Sequence, residues 1–171
     1  SNGDKLTIKQ TLKYAKELAI AQRAKNKQRV KAIHAKIKNT RQDLIHKFTT
    51  QLVKDNALIV VGDIKTTQFN SKKGKLAKSV YDAGWFELKR QLTYKCENAG
   101  CRFEIVNERY TTQTCSCCGQ IDSNSPKGRA GLRIREWTCA KCGTWHDRDI
   151  NASKNILAVG LDRLGAGIPS L

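Results

Sequence analysis

Thr114-Cys115-Ser116-Cys117-Cys118-Gly119 and Thr138-Cys139-Ala140-Lys141-Cys142-Gly143, with twenty residues between Cys118 and Cys139, decide how this chain is built. Two residues between paired cysteines let both sulfurs bind one ion, and the glycine after each pair permits the left-handed turn of such a knuckle. Four thiolates complete a tetrahedron and leave no open position. The spacing therefore predicts a structural Zn2+ site held by Cys115, Cys118, Cys139 and Cys142 in a ribbon over residues 111–146. Cys117, between the ligands, should point away from the metal. Cys96 and Cys101 lie apart and read as core or free thiols. His146 follows Cys142 by four residues and could replace a thiolate in principle; with four well-spaced cysteines, a polar or capping role is expected instead.

The residues around the knuckles are cationic. Lys127, Arg129, Arg133 and Arg135 lie between them, and the whole chain of 171 residues carries 32 Lys or Arg against 15 acids, a net charge of +17. Such an excess is expected to meet a polyanion, because each phosphate contact releases condensed counterions. From Ser1 to Lys54 there are fourteen Lys or Arg and three acids. Solvated helices normally interleave Glu with Lys at i, i+4, so this shortage of Glu points to phosphate binding by Arg23, Lys27, Arg29, Lys31, Lys38 and Arg41. No run approaches the ~20 apolar residues of a membrane span, and the opening residues are polar. The expectation is a cytoplasmic protein with no membrane partner. In that reducing setting seven cysteines favour metal or redox chemistry over disulfides.

Upstream of the knuckles the periodicity is helical. Val30, Ile33, Ile37, Leu44, Ile45, Phe48, Leu52 and Val53 follow the three-and-four spacing of one face, with no Gly or Pro from Asp4 to Asn56. Helices are expected from Lys9 to about Lys25 and from Lys27 to about Asp55. Ala57-Leu58-Ile59-Val60-Val61, ended by Gly62, reads as a fully buried central strand. A polar loop then precedes a helix over about 76–98, with Val80, Trp85, Leu88, Leu92 and Tyr94 inward and Gly100 as its stop. Arg102 to Asn107, with Phe103, Ile105 and Val106, reads as a second strand. Strand, helix, strand implies a βαβ crossover with parallel pairing. A last helix is expected from Asp147 to Gly160, its apolar positions Ile150, Ile156, Leu157 and Val159, with a loose tail from Leu161.

His146-Asp147-Arg148-Asp149-Ile150-Asn151-Ala152-Ser153 directly follows the second knuckle. Asp147 or Asp149 could cap the helix start, where free amides need an acceptor, and a carboxylate there can equally hold a magnesium ion. Residue type leaves both open.

Tyr110-Thr111-Thr112-Gln113-Thr114-Cys115, Arg135-Glu136-Trp137-Thr138-Cys139 and the Asp-Arg-Asp-Ile-Asn-Ala-Ser stretch closely resemble the C-terminal half of OrfB/TnpB-type proteins of bacterial insertion sequences, relatives of the type V CRISPR effectors. The resemblance implies an α/β fold: a RuvC-type, ribonuclease H-like mixed sheet with helices, truncated at its N-terminus, over residues 1–110 and 147–164. A basic helical insertion would occupy 5–55, and the zinc ribbon would be inserted before the last helix. It also implies an RNA-guided DNA endonuclease using three acids and Mg2+, with DNA and a guide RNA as partners in a bacterial, nucleoid-associated setting. The family's third acid falls on Asp149. Its second, normally a Glu, falls on Gly62; Asp63 should face the opposite side of the strand, and Glu108, at the end of the neighbouring strand, is the candidate substitute. No strand with the first acid in an Asp-x-Gly context precedes the helices, so the chain is expected to be a C-terminal fragment, inactive by itself. Gly62 also motivates an alternative, a nuclease-dead RNA- or DNA-binding module.

Overall fold

The sequence holds no Gly or Pro from Asp4 to Asn56, and two helices joined by a turn over 24–26, where Lys25 takes φ 52°, make a helical hairpin. A computed structural model of the chain describes residues 13–63 and 84–165, the side chain of Arg129 excepted. Helix α1 spans Ala15–Arg23 and α2 spans Lys27–Asp55. Of the expected first helix, Lys9 to Thr11 and Leu12 lie outside the described residues. At the tip of the hairpin the Asn26 side chain accepts the Arg29 N–H at 2.9 Å, a cap worth about 1 kcal/mol. The two helices close on Ala21, Ile33 and Ile37, with Tyr14, Leu18 and Val30 packed around them. Of these, Val30, Ile33 and Ile37 lie on the face that the periodicity marked.

Helix α3, Trp85–Ala99, packs on α2. Its expected beginning, 76–83 with Val80, lies outside the described residues. Gly84 precedes it at φ 64°, and a side chain there would meet Cδ1 of Ile45 at 2.6 Å. Gly100 ends the helix at φ 68°, where the Cys101 N–H reaches back to the Cys96 carbonyl at 3.0 Å, the six-to-one bond of a Schellman stop. The α2–α3 interface is partly polar. The Thr49 hydroxyl meets Oε1 of Gln91 at 2.9 Å. Nζ of Lys95 donates to the His46 carbonyl and to the hydroxyls of Thr49 and Thr50 at 2.7–2.8 Å, and burial lowers its pKa.

Strands β1, Leu58–Gly62, and β2, Arg102–Val106, form a two-stranded sheet. Arg102 N–H bonds to Ala57 O at 2.8 Å and Asp63 N–H to Val106 O at 2.7 Å. Both strands therefore advance together, and the pairing is parallel, as a crossover requires. The expectation of a fully buried central strand is corrected: of β1 only Ile59 is buried, the rest being half-covered. Among the described residues β1 has β2 as its single neighbour, so no second strand covers its other edge. Val106 is fully buried, whereas Ile105 is 40 % exposed.

The described residues divide into two compact units along these strands. One contains 13–59 and 84–103; the other contains 60–63 and 104–165. In the second, a short helical turn α4, Gly128–Gly131, precedes the antiparallel hairpin of β3, Glu136–Thr138, and β4, Trp145–Asp147. Helix α5 follows directly as Arg148–Gly165. It runs through Gly160, which sequence reading took as its end, and takes in Leu161 to Gly165 of the supposed loose tail. The reason is packing: a Cβ on Gly160 would lie 2.5 Å from Cγ2 of Val60. This glycine permits close approach to β1 rather than termination.

Gly160→Val should therefore lower stability by about 2 kcal/mol or more through overpacking against Val60. Denaturant unfolding of the purified chain measures this; an unchanged midpoint would show that the helix does not rest on β1.

Candidate metal centre and acidic helix

The two knuckles fold by the same hydrogen bonds. Gly119 N–H returns to Cys115 O at 2.8 Å and Cys115 N–H binds Gln120 O at 2.9 Å; Gly143 N–H returns to Cys139 O and Cys139 N–H binds Thr144 O, both at 2.9 Å. Gly119 and Gly143 sit at φ 74° and 71°, a conformation that costs a side-chain-bearing residue. The result places Sγ of Cys115, Cys118, Cys139 and Cys142 all within 4.8 Å of one another. Cys115 and Cys142 lie 3.7 Å apart, as do Cys118 and Cys139. A tetrahedron of sulfurs around zinc has edges of roughly 3.8 Å, so the donor set and its spacing fit the ion. Cys117 is exposed, as expected of a residue between ligands. Cys96 is buried and Cys101 half-buried, both free; burial pushes the Cys96 thiol up to about 11.

Trp137 packs with Cys115, Cys139 and Cys118, and its ring lies 4.8 Å from that of His146. His146 pairs with Trp137 across the hairpin and is 6 % exposed; burial lowers its pKa. Its Nε2 lies 3.0 Å from Sγ of Cys115, so it touches the quartet through a sulfur. Asp122 went unnoticed in the sequence. One of its oxygens accepts the N–H groups of Asn124 and Ser125 at 2.8 and 3.1 Å. The other accepts from Cys139 Sγ at 3.0 Å and Ala140 N–H at 2.8 Å, which ties the inter-knuckle loop to the second knuckle. The cue was present in Asp122-Ser123-Asn124-Ser125, a run of turn formers led by an Asp able to cap its own loop. The Asp122 carboxylate drives the Cys139 thiol up to about 12, whereas the Thr144 hydroxyl brings Cys142 down to about 6.

The alternatives left open for the two aspartates separate. Oδ1 of Asp147 accepts the N–H groups of Asp149 and Ile150, each at 2.9 Å, so Asp147 caps α5. Asp149 is half exposed and faces arginines: Oδ2 lies 3.4 Å from Nη1 of Arg135, and Oδ1 lies 3.4 Å from Nη2 of Arg148. Arg148 is itself pinned, donating to Gly131 O at 3.1 Å and Leu132 O at 2.9 Å. Glu108 lies over Gly62, where a Cβ would fall 2.5 Å from its Oε2 and 3.0 Å from its own Cβ. The glutamate side chain thus occupies the space that a residue at position 62 would use. Among the described residues the cysteine quartet is the one group of three or more metal-binding side chains close enough to share an ion. Asp149 and Glu108 do not join such a group, so the described carboxylates do not by themselves compose a magnesium site.

Of the candidate phosphate contacts, Arg23, Lys27, Arg29, Lys31 and Lys38 are exposed on α1 and α2, Arg29 lying 3.5 Å from Glu17. Arg41 is the correction. It is 8 % exposed because it falls on the α2 face that receives α3, so it does not stand on the exposed cationic face. Lys127, Arg133 and Arg135 are exposed on the ribbon; the side chain of Arg129 is not described.

A four-cysteine ribbon running straight into a capped helix with a solvent-facing acid, in a chain with a cationic helical hairpin, defines a strongly basic protein of the four-cysteine ribbon class. Residues 85–156 match the family described as Cas12f1-like, TNB domain, and residues 3–72 match OrfB_IS605, described as a probable transposase. A Streptomyces pristinaespiralis protein, provisionally named an RNA-guided DNA endonuclease, is 39 % identical over 86 % of this chain and 35 % of its own length. InsQ of Escherichia coli K12, provisionally given the same name, is 32 % identical over 84 % of this chain and 38 % of its own length. The Cas12f1 chain of a cryo-EM complex with sgRNA and target DNA has the same fold at TM-score 0.64 and 16 % identity, covering 91 % of this chain and 44 % of that one. This chain belongs to the OrfB/TnpB-type family of insertion-sequence proteins and spans little more than a third of the two relatives' lengths.

Two outcomes follow. Loading one Zn2+ at pH 7 should release protons, because the thiol driven to about 12 at Cys139 must ionise to bind. Apparent affinity should accordingly fall as pH decreases, by up to about tenfold per unit for each proton released; chelator competition at several pH values checks the slope. Affinity for an oligonucleotide should drop steeply between about 50 and 200 mM salt. Replacing Lys31 or Lys38 by Ala should flatten that slope, whereas Arg41→Ala should lower thermal stability and leave the slope alone.

Proposed function

We propose that the intact protein is an RNA-guided, Mg2+-dependent DNA endonuclease associated with transposition, to which this chain contributes a zinc ribbon, a cationic hairpin and two of the acids. The supporting observation is Glu108 lying in the space above Gly62. The family's Glu position carries no carboxylate in this chain, yet a carboxylate stands over that very position, supplied by the residue after β2. On this reading residues 1–110 and 147–164 are parts of a RuvC-like domain, with 5–55 a basic helical insertion and 111–146 the ribbon. Asp149, at the start of α5, is the third acid. Two ions that clamp the attacking water and the leaving oxygen need a shared carboxylate, and this reading places that acid elsewhere in the intact protein.

The chain's own groups perform the supporting work. Asp147 satisfies the first amides of α5, which leaves Asp149 directed to solvent rather than to its own helix. Arg135 and Arg148, each 3.4 Å from a carboxylate oxygen of Asp149, hold it in place. The exposed lysines and arginines of the hairpin and ribbon would follow guide and target phosphates, which position a strand without reading its sequence. The identity of the guide and target would rest on base pairing.

Gly62 favours a second reading, a binding module of the same family that no longer cuts. The intact protein, loaded with guide RNA and Mg2+, separates the two. Glu108→Ala and Asp149→Ala should each abolish target cleavage while leaving target binding intact. Gly62→Glu alone should impair the protein by colliding with Glu108, and the pair Gly62→Glu with Glu108→Ala should regain cleavage. A protein that binds guide and target but never cuts, or that cuts undiminished without Glu108, refutes the enzyme reading as stated.

A further inference from the structure

Side chains from the segment that carries Asp149 hold Cys115 from several directions. Nε2 of His146 lies 3.0 Å from its sulfur. The amide of Asn151 spans the residues on both sides of it: Oδ1 accepts the Ser116 N–H at 2.9 Å, and Nδ2 donates to Thr114 O at 2.8 Å and to Thr111 O at 3.2 Å. Asn151 is 1 % exposed and His146 6 %. Asn155, one turn further along α5, donates to the same two carbonyls at 2.8 and 2.7 Å.

Two physical consequences follow. When Cys115 is a thiolate it can only accept, so Nε2 of His146 carries the proton and draws charge from the sulfur. Groups in this position around a metal site orient the ligand, and their loss commonly weakens metal binding about 10–100-fold. Asn151, for its part, is a buried amide whose donors are engaged by Thr111 and Thr114 in the lead-in to the first knuckle and whose acceptor is engaged by Ser116 within it. If that lead-in moves, both ends of the amide are left unpaired in a dry site, a costly state. The loop around Cys115 and the first turn of α5 are therefore two sides of one contact.

We propose that His146 and Asn151 are positioning residues of the metal centre, through which occupancy of the cysteine quartet and the seating of the first turn of α5 are reciprocally linked. The importance of that turn, as the carrier of Asp149, rests on the nuclease reading; the linkage itself does not. Any coupling of this kind acts equally in both directions: the metal should order the turn, and the turn should tighten the metal.

The test uses the zinc-loaded chain, with zinc affinity and amide hydrogen exchange as readouts, neither of which passes through cleavage. Asn151→Ala and His146→Phe should each weaken zinc binding about 10–100-fold in chelator competition. His146→Gln, which keeps an N–H able to donate to sulfur, should recover part of that loss; a residue that only fills space would not be rescued in this way. In the unmutated chain, stripping zinc with a chelator should speed exchange of the amides of residues 149–153 by about tenfold or more, while α2 keeps its protection. That experiment needs no variant, so it decides the matter even if a substituted chain fails to fold, which α2 exchange would reveal. Zinc affinities within about twofold of the parent in both variants, or exchange in α5 unmoved by zinc removal, would overturn the linkage. Loss of the nuclease reading, seen as cleavage indifferent to Asp149, would leave it standing.

Discussion

Four sulfurs gathered within 4.8 Å of one another are a constraint before they are a motif. Two unit charges at about 4 Å repel by about 4 kcal/mol even at the effective dielectric of a protein surface, so four thiolates cannot share this space without a cation among them. A structural zinc contributes on the order of 10–16 kcal/mol of folding free energy in small domains, far more than the three-residue strands β3 and β4 could supply. Trp137, Asp122 and His146 are arranged around the quartet and not around one another. The ribbon is in this sense a four-sulfur cluster suited to a metal, with a short hairpin attached. Because α5 begins at the residue after β4, whatever fixes the sulfurs also fixes the start of that helix.

The parts of the fold that were legible in the sequence are those where one local rule acts unopposed. Helix α2 occupies Lys27–Asp55, the bounds expected, because its apolar stripe runs unbroken and Asn26 and Asn56 flank it. The knuckles were equally legible, since spacing and glycine placement answer to the geometry of one ion. Failures came where a residue type has two uses. Gly160 carries the chemistry of a helix stop, yet it is spent on closeness to Val60, and only the tertiary neighbour distinguishes the two. Arg41 belongs by charge to the cationic face and by register to the buried one. The register prevails because α3 needs that face, and an arginine can bury its stem. The β1 run reads as buried on both sides by composition, but composition does not say how many strands a sheet has.

At the candidate site the ligands were legible and their supports were not. Asp122 and Asn151 act through backbone groups of residues far along the chain, Asp122 on Ala140 and Asn151 on Thr111, Thr114 and Ser116. Backbone N–H and C=O groups are the same at every residue, so no pattern of side chains announces that a distant one will be taken. Asp147 and Asn151 differ in this respect. The capping role of Asp147 is local and stood among the sequence alternatives. Asn151 read merely as part of a family signature, although it is among the most buried polar residues of its unit.

The Gly62–Glu108 relation shows how two positions far apart in sequence can claim one place in space. Parallel strands in register set residues from distant positions side by side, and the Asp63–Val106 bond brings the ends of β1 and β2 to the same level. A side chain leaving β1 at position 62 and one leaving the chain just after β2 then compete for one volume, since a Cβ at 62 would lie 2.5 Å from Oε2 of Glu108. Two carboxylates there would collide and repel. One Gly and one Glu is a combination that avoids the collision, in either order. What the fold constrains is the volume, which admits one side chain from position 62 or from position 108 and not both.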